Sequence, residues 1–533
     1  MSNDYAYIIV GSGVAGSAIA TKLLEKDPGT PIFMLEAGPQ IPMRDRRYWW
    51  DYIINNRKPY DQCEDRDGDN PSVGMTPWHS TGSRTMMYGG STVHWGGWSM
   101  RFKPEDFYLK SNTGRGGDWP YNYDTLEPYY CRAEEYLSVC GDDKDSATRG
   151  MPASAKNKND PWRSKPYPLP PYPWTESDGE MIEAFNSLGI TPGRMPLARY
   201  RKCMATGTCK YCPFGARFAG PYILDDLLSE PKYTNLTFLG VTPVTRLVAE
   251  SKSRIHTVEY IDPTTGETKT ASGDRIILCT GAYEAPKLLM LSVSPYWENG
   301  VGNDYDLVGR YAISHPFLSV AGTKDKNEER WIQEFDFPTL MSRTYDTEEY
   351  QQNGKIFLMK SAMFPNVDIA KHMIAGKDRR EIDRIVTGPR QVQLSAFMEE
   401  MGQYDNRFSL GEGTTRWGLP RTKIRFAHPP DFRKRADKNL DLMEAVIRKM
   451  GYTVDKNNDK VIGEQDGHHT SSTCRMGKDP TEGVVDANLK VFGTDNLYVC
   501  SNAVHPTCAA VNPTLTLVAV TLKLTDHLLA QKP

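Results

Sequence analysis

The chain has 533 residues, of which 39% are hydrophobic and 25% are charged, and its formal net charge is −3. This composition is that of a globular protein, and the charge gives no electrostatic reason to expect nucleic acid or an anionic membrane as a partner. The length exceeds what one hydrophobic core usually fills, so we expect two or more domains. The sequence contains no run of about 18 apolar residues, so we expect no membrane-spanning helix.

The N-terminal stretch "YAYIIVGSGVAGSAIATKLLEK" predicts a buried strand, a glycine turn and a helix. Its glycines follow the pattern G-x-G-x-x-G. Gly11 suits the tight turn, Gly13 the close approach of a pyrophosphate, and Gly16 the packing of helix on strand. The N–H groups at the helix start can bind phosphate. A second predicted strand, "PIFMLEAG", ends at Glu36, which can accept a hydrogen bond from a ribose hydroxyl. The glycine turn, the helix start and Glu36 together predict a dinucleotide site, for NAD or FAD.

This strand pattern begins almost at the first residue, which leaves no room for an export signal before it. We therefore expect synthesis without a signal of the chain's own. The expected location is the cytoplasm, or the periplasm after co-export with a partner subunit that carries a signal.

Five further stretches follow in chain order: "YGGSTVHWGGWSMRF" (88–102), "GDWPYNYDTLEPYYCRAEEYL" (117–137), "DRIILCTGAYEAPKLLMLS" (274–292), "LVGRYAISHP" (307–316) and "TDNLYVCSNAVHPTCAAVNPTLTLVAVTLKLTDHL" (494–528). Together they resemble the motifs of the glucose–methanol–choline (GMC) oxidoreductase family. In the third stretch we expect a helix that opens near Pro286. The resemblance implies FAD as the cofactor. It also implies an α/β fold, in which a GMC-type, Rossmann-like FAD-binding domain is interleaved with a substrate domain of antiparallel sheet and helices.

The expected domains are discontinuous in sequence. The FAD-binding domain is expected at residues 1–100, 200–315 and 460–533. The substrate-binding domain, with insertions, is expected at 101–199 and 316–459, and residues 200–220 form a cysteine loop.

The stretch "SNAVHPTCAAVNPTLTLVAV" predicts a strand that ends near Cys500, a loop with His505, and a helix that begins at Pro513. Proline is favoured at a first helical position, and Asn512 before it is a natural N-cap. His505, with an ordinary pKa of about 6.5, is the candidate general base. Asn512 would bind the same substrate hydroxyl. The family motif implies these two catalytic roles; the alternative is a loop histidine near a capping asparagine.

The resemblance implies further FAD contacts along these motifs. The expected cofactor-binding residues are Gly11, Ser12, Gly13, Ala15, Gly16, Glu36, Gly90, Ser91, His94, Trp95, Val244, Gly281, Asn502, Ala503, Asn512, Pro513 and Thr514. His94 stands where pyranose 2-oxidases of this family carry a histidine bonded to the flavin. We expect a non-covalent neighbour here, with a covalent link as the alternative. The pair His468 and His469 has no acid or thiol at metal-ligand spacing beside it, and we expect it to be structural.

The stretch "RKCMATGTCKYCPFGAR" (201–217) places Cys203, Cys209 and Cys212 close together. Thiolates at such spacing can hold one small inorganic core, and Cys-Pro is common at the end of iron–sulfur loops. We predict a 3Fe-4S cluster rather than 4Fe-4S. Zinc, a Cys209–Cys212 disulfide and unliganded thiols are the alternatives. The loop loosely resembles that of iron–sulfur FAD sugar dehydrogenases, although the spacing differs.

These features predict an FAD-dependent dehydrogenase that oxidises a secondary alcohol of a sugar or glycoside to a ketone. Resemblance to bacterial glucoside 3-dehydrogenases implies oxidation at C3. Electrons would pass through the cluster to an external acceptor such as a c-type cytochrome, with a small accessory subunit as a further partner. The alternatives are a pyranose or glycoside oxidase that uses oxygen, an enzyme of the FAD glucose 1-dehydrogenase type, and a flavin electron-transfer subunit without catalysis.

Overall fold

The computed structural model describes residues 4–149, 158–199, 203–204, 208–212, 214–325, 335–361, 372–455 and 465–531. The strands are β1 Tyr5–Val10, β2 Ile32–Leu35, β3 Trp78–His79, β4 Val139–Cys140, β5 Gly193–Arg194, β6 Leu197–Ala198, β7 Leu236–Leu239, β8 Val244–Ala249, β9 Ile255–Ile261, β10 Thr268–Leu278, β11 Phe317–Lys324, β12 Leu340–Ser342, β13 Ile356–Lys360, β14 Arg390–Met398, β15 Arg407–Thr414, β16 Pro420–Arg425, β17 Thr453–Val454, β18 Gln465–Asp466 and β19 Leu497–Val499. The α-helices are α1 Val14–Lys26, α2 Arg46–Asn55, α3 Leu109–Thr113, α4 Tyr123–Leu137, α5 Glu176–Ser187, α6 Gly220–Ser229, α7 Gly281–Leu291, α8 Arg379–Val386, α9 Phe432–Lys449 and α10 Thr514–Ala530.

The first sheet carries the dinucleotide motif. Within the described chain it has the order β7-β2-β1-β10-β9-β8, and β19 also pairs with β10. Strand β1 is parallel to β2 and β10, and β10 is parallel to β19. Ile8 and Ile9 of β1 are fully buried, as expected for a parallel strand covered on both faces. The sheet ends in an antiparallel ribbon of β8, β9 and the first half of β10.

The second sheet is antiparallel and has the order β17-β11-β14-β13-β12-β5. Leu318 of β11 and Leu394 of β14 are buried in one cluster with Met443 and Ile447 of α9. Helix α5 contributes buried residues to the same cluster, so α5 and α9 cover this sheet. The expected architecture is confirmed: an α/β fold with strands of a mostly parallel sheet at both chain ends and an antiparallel sheet with helices between them. The exact domain bounds stay a prediction.

Two helix starts differ from the sequence prediction. Helix α7 begins at Gly281, and Pro286 lies inside it. A proline at that position leaves the Ala282 carbonyl without its helical donor, and the Thr473 hydroxyl donates to that carbonyl at 2.7 Å. Helix α10 begins at Thr514 without a side-chain cap, so the prediction of Asn512 as its N-cap was wrong.

In the parts of the chain that the structure describes, no helix combines the length and the apolar character needed to cross a membrane.

Candidate active site

A cavity of about 700 Å³ is lined by residues of both sheets. Most of the residues predicted to bind the cofactor line it. These are Gly11, Gly13, Ala15, Glu36, Gly90, Ser91, His94, Trp95, Val244, Gly281, Asn502, Asn512, Pro513 and Thr514. Ser12, Gly16 and Ala503 do not line it. The cavity thus joins the N-terminal glycine turn to the start of α10.

The glycine turn forms one end of this cavity. Gly11 has φ +97°, and a Cβ on it would lie 2.6 Å from the Cys279 carbonyl oxygen. A Cβ on Gly16 would lie 2.1 Å from the Gly11 oxygen, whereas one on Gly13 would meet no protein atom within 4 Å. Gly11 and Gly16 are therefore required by backbone packing. Gly13, just before α1, leaves open space beside a helix N-terminus, which fits a pyrophosphate.

Glu36 lies at the end of β2 and lines the same part of the cavity. Its Oε2 accepts from the Ser12 N–H at 2.9 Å and from the Ser12 hydroxyl at 2.8 Å, and its Oε1 accepts from the Gly38 N–H at 3.0 Å. Burial raises the pKa of Glu36, and these donors oppose that shift. The carboxylate is thus fixed where a ribose hydroxyl is expected.

Two histidines and an asparagine from three separate segments line another part of the cavity. The Nε2 atom of His469 lies 3.0 Å from the Nδ2 atom of Asn512. The Nδ1 atom of His469 lies 2.8 Å from the Nδ1 atom of His315. Burial lowers the pKa of His315 to about 4 and that of His469 well below its ordinary value. Both imidazoles are therefore neutral at pH 7, and His469 is able to accept a proton.

His505 forms no hydrogen bond with Asn512. It is 0% exposed, does not line the cavity, and packs against Trp119 and Phe102, with ring centroids 5.2 and 6.1 Å away. Neither ring nitrogen has a hydrogen-bond partner among the described residues. Burial lowers the pKa of His505 to about 3. The predicted pairing of His505 with Asn512 is therefore not found, and the place next to the asparagine belongs to His469.

The sequence interpretation expected His469 to be structural, whereas the structure places it against Asn512 at the cavity. Its position depends on backbone pairing between distant segments: the Cys474 N–H donates to the Ala503 carbonyl, and the Met476 N–H donates to the Val504 carbonyl, each at 2.8 Å. His315 was also missed, although it stands in the quoted stretch "LVGRYAISHP". A short motif cannot show that His469 contacts Asn512 or that His315 contacts His469.

His94 lines the cavity and is held by two neighbours. Its Nδ1 atom lies 3.1 Å from Glu64 Oε1 and 3.0 Å from Thr85 Oγ1. Burial lowers the pKa of His94, although the Glu64 carboxylate opposes this shift. The adjacent Trp95 donates its indole N–H to the Phe218 carbonyl at 2.8 Å. These bonds fix both side chains against the cavity.

The three cysteines of the predicted cluster do not form a metal site in this structure. Among the residues it describes, no group of three or more His, Cys, Asp or Glu side chains could hold a metal ion. Cys209 instead interacts with protein groups: Arg199 Nη2 donates to its Sγ at 3.6 Å, and its N–H donates to Asp336 Oδ2 at 2.9 Å. Burial raises the pKa of the Cys209 thiol to about 11, which favours the protonated form. This geometry does not support the iron–sulfur prediction.

The chain is similar to known oxidoreductases over nearly its whole length. Residues 5–316 and 403–521 match the N-terminal and C-terminal family models of GMC oxidoreductase. The chain is 26% identical to the fructose dehydrogenase large subunit of Gluconobacter japonicus, with 98% of this chain and 97% of that protein covered. It is also 26% identical to paromamine 6'-oxidase of Streptomyces fradiae, with 97% and 90% covered.

Solved structures share the fold. Pyridoxine 4-oxidase from Mesorbium loti superposes with a TM-score of 0.67 at 20% identity, covering 99% of this chain and 100% of the other. The R554A variant of formate oxidase from Aspergillus oryzae RIB40 gives a TM-score of 0.67 at 17% identity, with 99% of each chain covered.

Proposed function

Since the chain belongs to the GMC oxidoreductase family of FAD-dependent enzymes that act on CH–OH groups, we propose that it oxidises a secondary alcohol of a sugar or glycoside to a ketone. The observation that carries this proposal is the contact of His469 with Asn512 at the cavity wall. Relatives named for fructose and paromamine support a carbohydrate-like substrate.

The cavity residues fit FAD. Gly13 and the start of α1 would hold the pyrophosphate, and Glu36 would accept from the adenosine ribose. Asn502 and Asn512 have side-chain oxygens without a partner among the described residues, and both residues line the cavity. FAD, when bound, accepts the hydride that leaves the substrate carbon.

The protein's own residues would move the substrate's proton. In the free enzyme, His469 Nε2 and Asn512 Nδ2 contact one another. A substrate hydroxyl placed between them would donate to His469 Nε2 and accept from the Asn512 amide. His469 then takes the hydroxyl proton while the amide keeps the oxygen in position. The low pKa of His469 ensures that the base is unprotonated before the substrate arrives.

Aromatic side chains near this pair favour a ring-shaped substrate. Phe317, Phe397 and Trp98 line the cavity, and the Phe397 ring centroid lies 4.7 Å from that of His469. Aromatic walls with a few polar groups are typical of small-molecule sites. They would pack against the apolar face of a sugar ring and leave its hydroxyls to His469 and Asn512.

The route of the electrons after the flavin stays a prediction. The three-cysteine sequence favours an iron–sulfur centre, a c-type cytochrome acceptor and a small accessory subunit. Iron and acid-labile sulfide analysis of anaerobically purified protein tests this part, and peroxide release under air tests the oxidase alternative.

The substrate proposal is tested by anaerobic titration of the FAD-loaded enzyme with a panel of sugars and glycosides. We expect bleaching of the flavin band by glycosides, with a C3 ketone identified by NMR of the product. Bleaching by simple primary alcohols alone, with no reaction of any sugar, would contradict it.

A further inference from the structure

We propose that His315 is a positioning residue that keeps the proton of His469 on Nδ1 and leaves Nε2 free to accept the substrate's proton. This inference rests on the proposed function, in which His469 is the base. It assigns a role to a side chain that would not itself take the substrate's proton.

The backbone behind His315 determines which of its nitrogens carries a proton. The Nε2 atom of His315 lies 3.1 Å from the Cys508 carbonyl oxygen and 3.0 Å from the Ala509 carbonyl oxygen. Carbonyl oxygens only accept hydrogen bonds, so Nε2 of His315 must carry the proton. Ala509 has φ +53°, in the left-handed region that non-glycine residues rarely adopt, and its carbonyl is one of these two acceptors.

The proton on Nε2 makes the other nitrogen of His315 an acceptor. His315 is 2% exposed, and burial lowers its pKa to about 4, so it is neutral and has a single ring proton. Its Nδ1 is therefore bare and lies 2.8 Å from Nδ1 of His469. A hydrogen bond at this distance requires one donor, which can only be His469. The neutral His469 ring then has its proton on Nδ1 and a bare Nε2.

The contact between His469 and Asn512 independently requires a proton on Nδ1 of His469 and a bare Nε2. The Nδ2 group of Asn512 can only donate, and it lies 3.0 Å from His469 Nε2. All hydrogen bonds from Asn512 through His469 and His315 to the two carbonyls therefore run in one direction. When His469 accepts the substrate's proton, the carbonyl dipoles behind His315 stabilise the positive charge that the histidine pair acquires.

Backbone pairing holds the two rings together. The Ser471 N–H donates to the Ile313 carbonyl at 2.9 Å, and the His469 N–H donates to the Ser314 hydroxyl at 3.1 Å. The segments that carry the two histidines are thus joined beside the rings. This pairing sets the ring-to-ring distance before any ligand is present.

A matched pair of variants tests the proposal. His315→Asn keeps an oxygen acceptor at the position of Nδ1. The leucine of His315→Leu has nearly the same shape as that asparagine but offers no acceptor. We expect His315→Leu to slow flavin reduction at saturating substrate by about 10²-fold, and His315→Asn by less than about 10-fold. The substrate concentration for half-saturation should change little, because the substrate hydroxyl binds His469 and Asn512.

Nitrogen NMR of protein labelled with ¹⁵N-histidine gives a readout independent of turnover. Wild-type His469 should show a protonated Nδ1 and a bare Nε2, and His315→Leu should show a mixture of the two tautomers. A wild-type His469 protonated on Nε2, or equal slowing by both variants, would overturn the role of His315. If His469→Ala and His315→Leu both reduce the flavin at the wild-type rate, the proposed base is wrong. If His315→Leu has the wild-type rate but His469→Ala is slow, the proposed function stands and the positioning role of His315 fails.

Discussion

His469 and Asn512 are in contact, Nε2 to Nδ2 at 3.0 Å, although 43 residues separate them in the chain. His505, only seven positions before Asn512, is buried elsewhere against Trp119. Nearness in sequence therefore does not decide which histidine contacts Asn512.

His505 should make the protein sensitive to acid. Burial lowers its folded-state pKa to about 3, whereas the unfolded chain binds a proton on this ring below about pH 6.5. The unfolded state is therefore favoured as the pH falls below 6.5. Between pH 7 and pH 5 the unfolding free energy of both proteins should fall. We expect the fall to be about 2 kcal/mol smaller in His505→Phe than in the wild type.

Chemical denaturation of the FAD-loaded proteins at the two pH values measures this difference. His315 and His469 are present in both proteins, so their own acid sensitivity cancels. An equal loss of stability in His505→Phe and wild type would show that His505 is not held neutral by burial.

Flavin reduction should tolerate acid better than an ordinary histidine base allows. The base works when unprotonated, and burial lowers the pKa of His469 well below its usual value. The acid limb of the rate should therefore move to lower pH. Anaerobic stopped-flow at saturating substrate should show a constant reduction rate down to about pH 6.5. A half-maximal rate at or above that pH would argue against a buried neutral base.

Two glycines of the turn should respond differently to alanine. A Cβ on Gly13 meets no protein atom within 4 Å, so Gly13→Ala should fold but occupy space needed by the pyrophosphate. We expect its FAD affinity to fall by about 10-fold or more. A Cβ on Gly16 would lie 2.1 Å from the Gly11 oxygen, so Gly16→Ala should lower the thermal midpoint of the apoprotein. Flavin titration and thermal melts of both variants separate the effects; unchanged FAD affinity in Gly13→Ala would remove this residue from the cofactor site.

The flavin should be released by acid. We expect His94 to be a non-covalent neighbour of the flavin; because its Nδ1 contacts Glu64 and Thr85, the covalent alternative would require a bond at Nε2. We expect trichloroacetic acid to leave yellow FAD in the supernatant. Flavin retained in the protein pellet, and lost from it in His94→Ala, would instead establish the covalent alternative.

The sequence predicted the dinucleotide end of the site better than the other end. Gly11, Gly13 and Glu36 belong to one continuous strand–helix–strand unit, whose geometry follows from local patterns. His469 reaches Asn512 only because the segment around Cys474 pairs with the segment around Ala503. Such long-range pairing leaves no periodic signal in a single sequence. The contact between His315 and His469, 154 positions apart, is hidden for the same reason.

Anaerobic stopped-flow reduction of the bound flavin in His469→Ala and His505→Phe tests directly which histidine is the base. We expect His469→Ala to retain FAD and to slow reduction by about 10² to 10⁴-fold. His505→Phe, whose ring replaces an imidazole without hydrogen bonds, should reduce its flavin within about threefold of the wild-type rate, since His505 does not line the cavity. A normal rate in His469→Ala together with a large loss in His505→Phe would show that His469 is not the base.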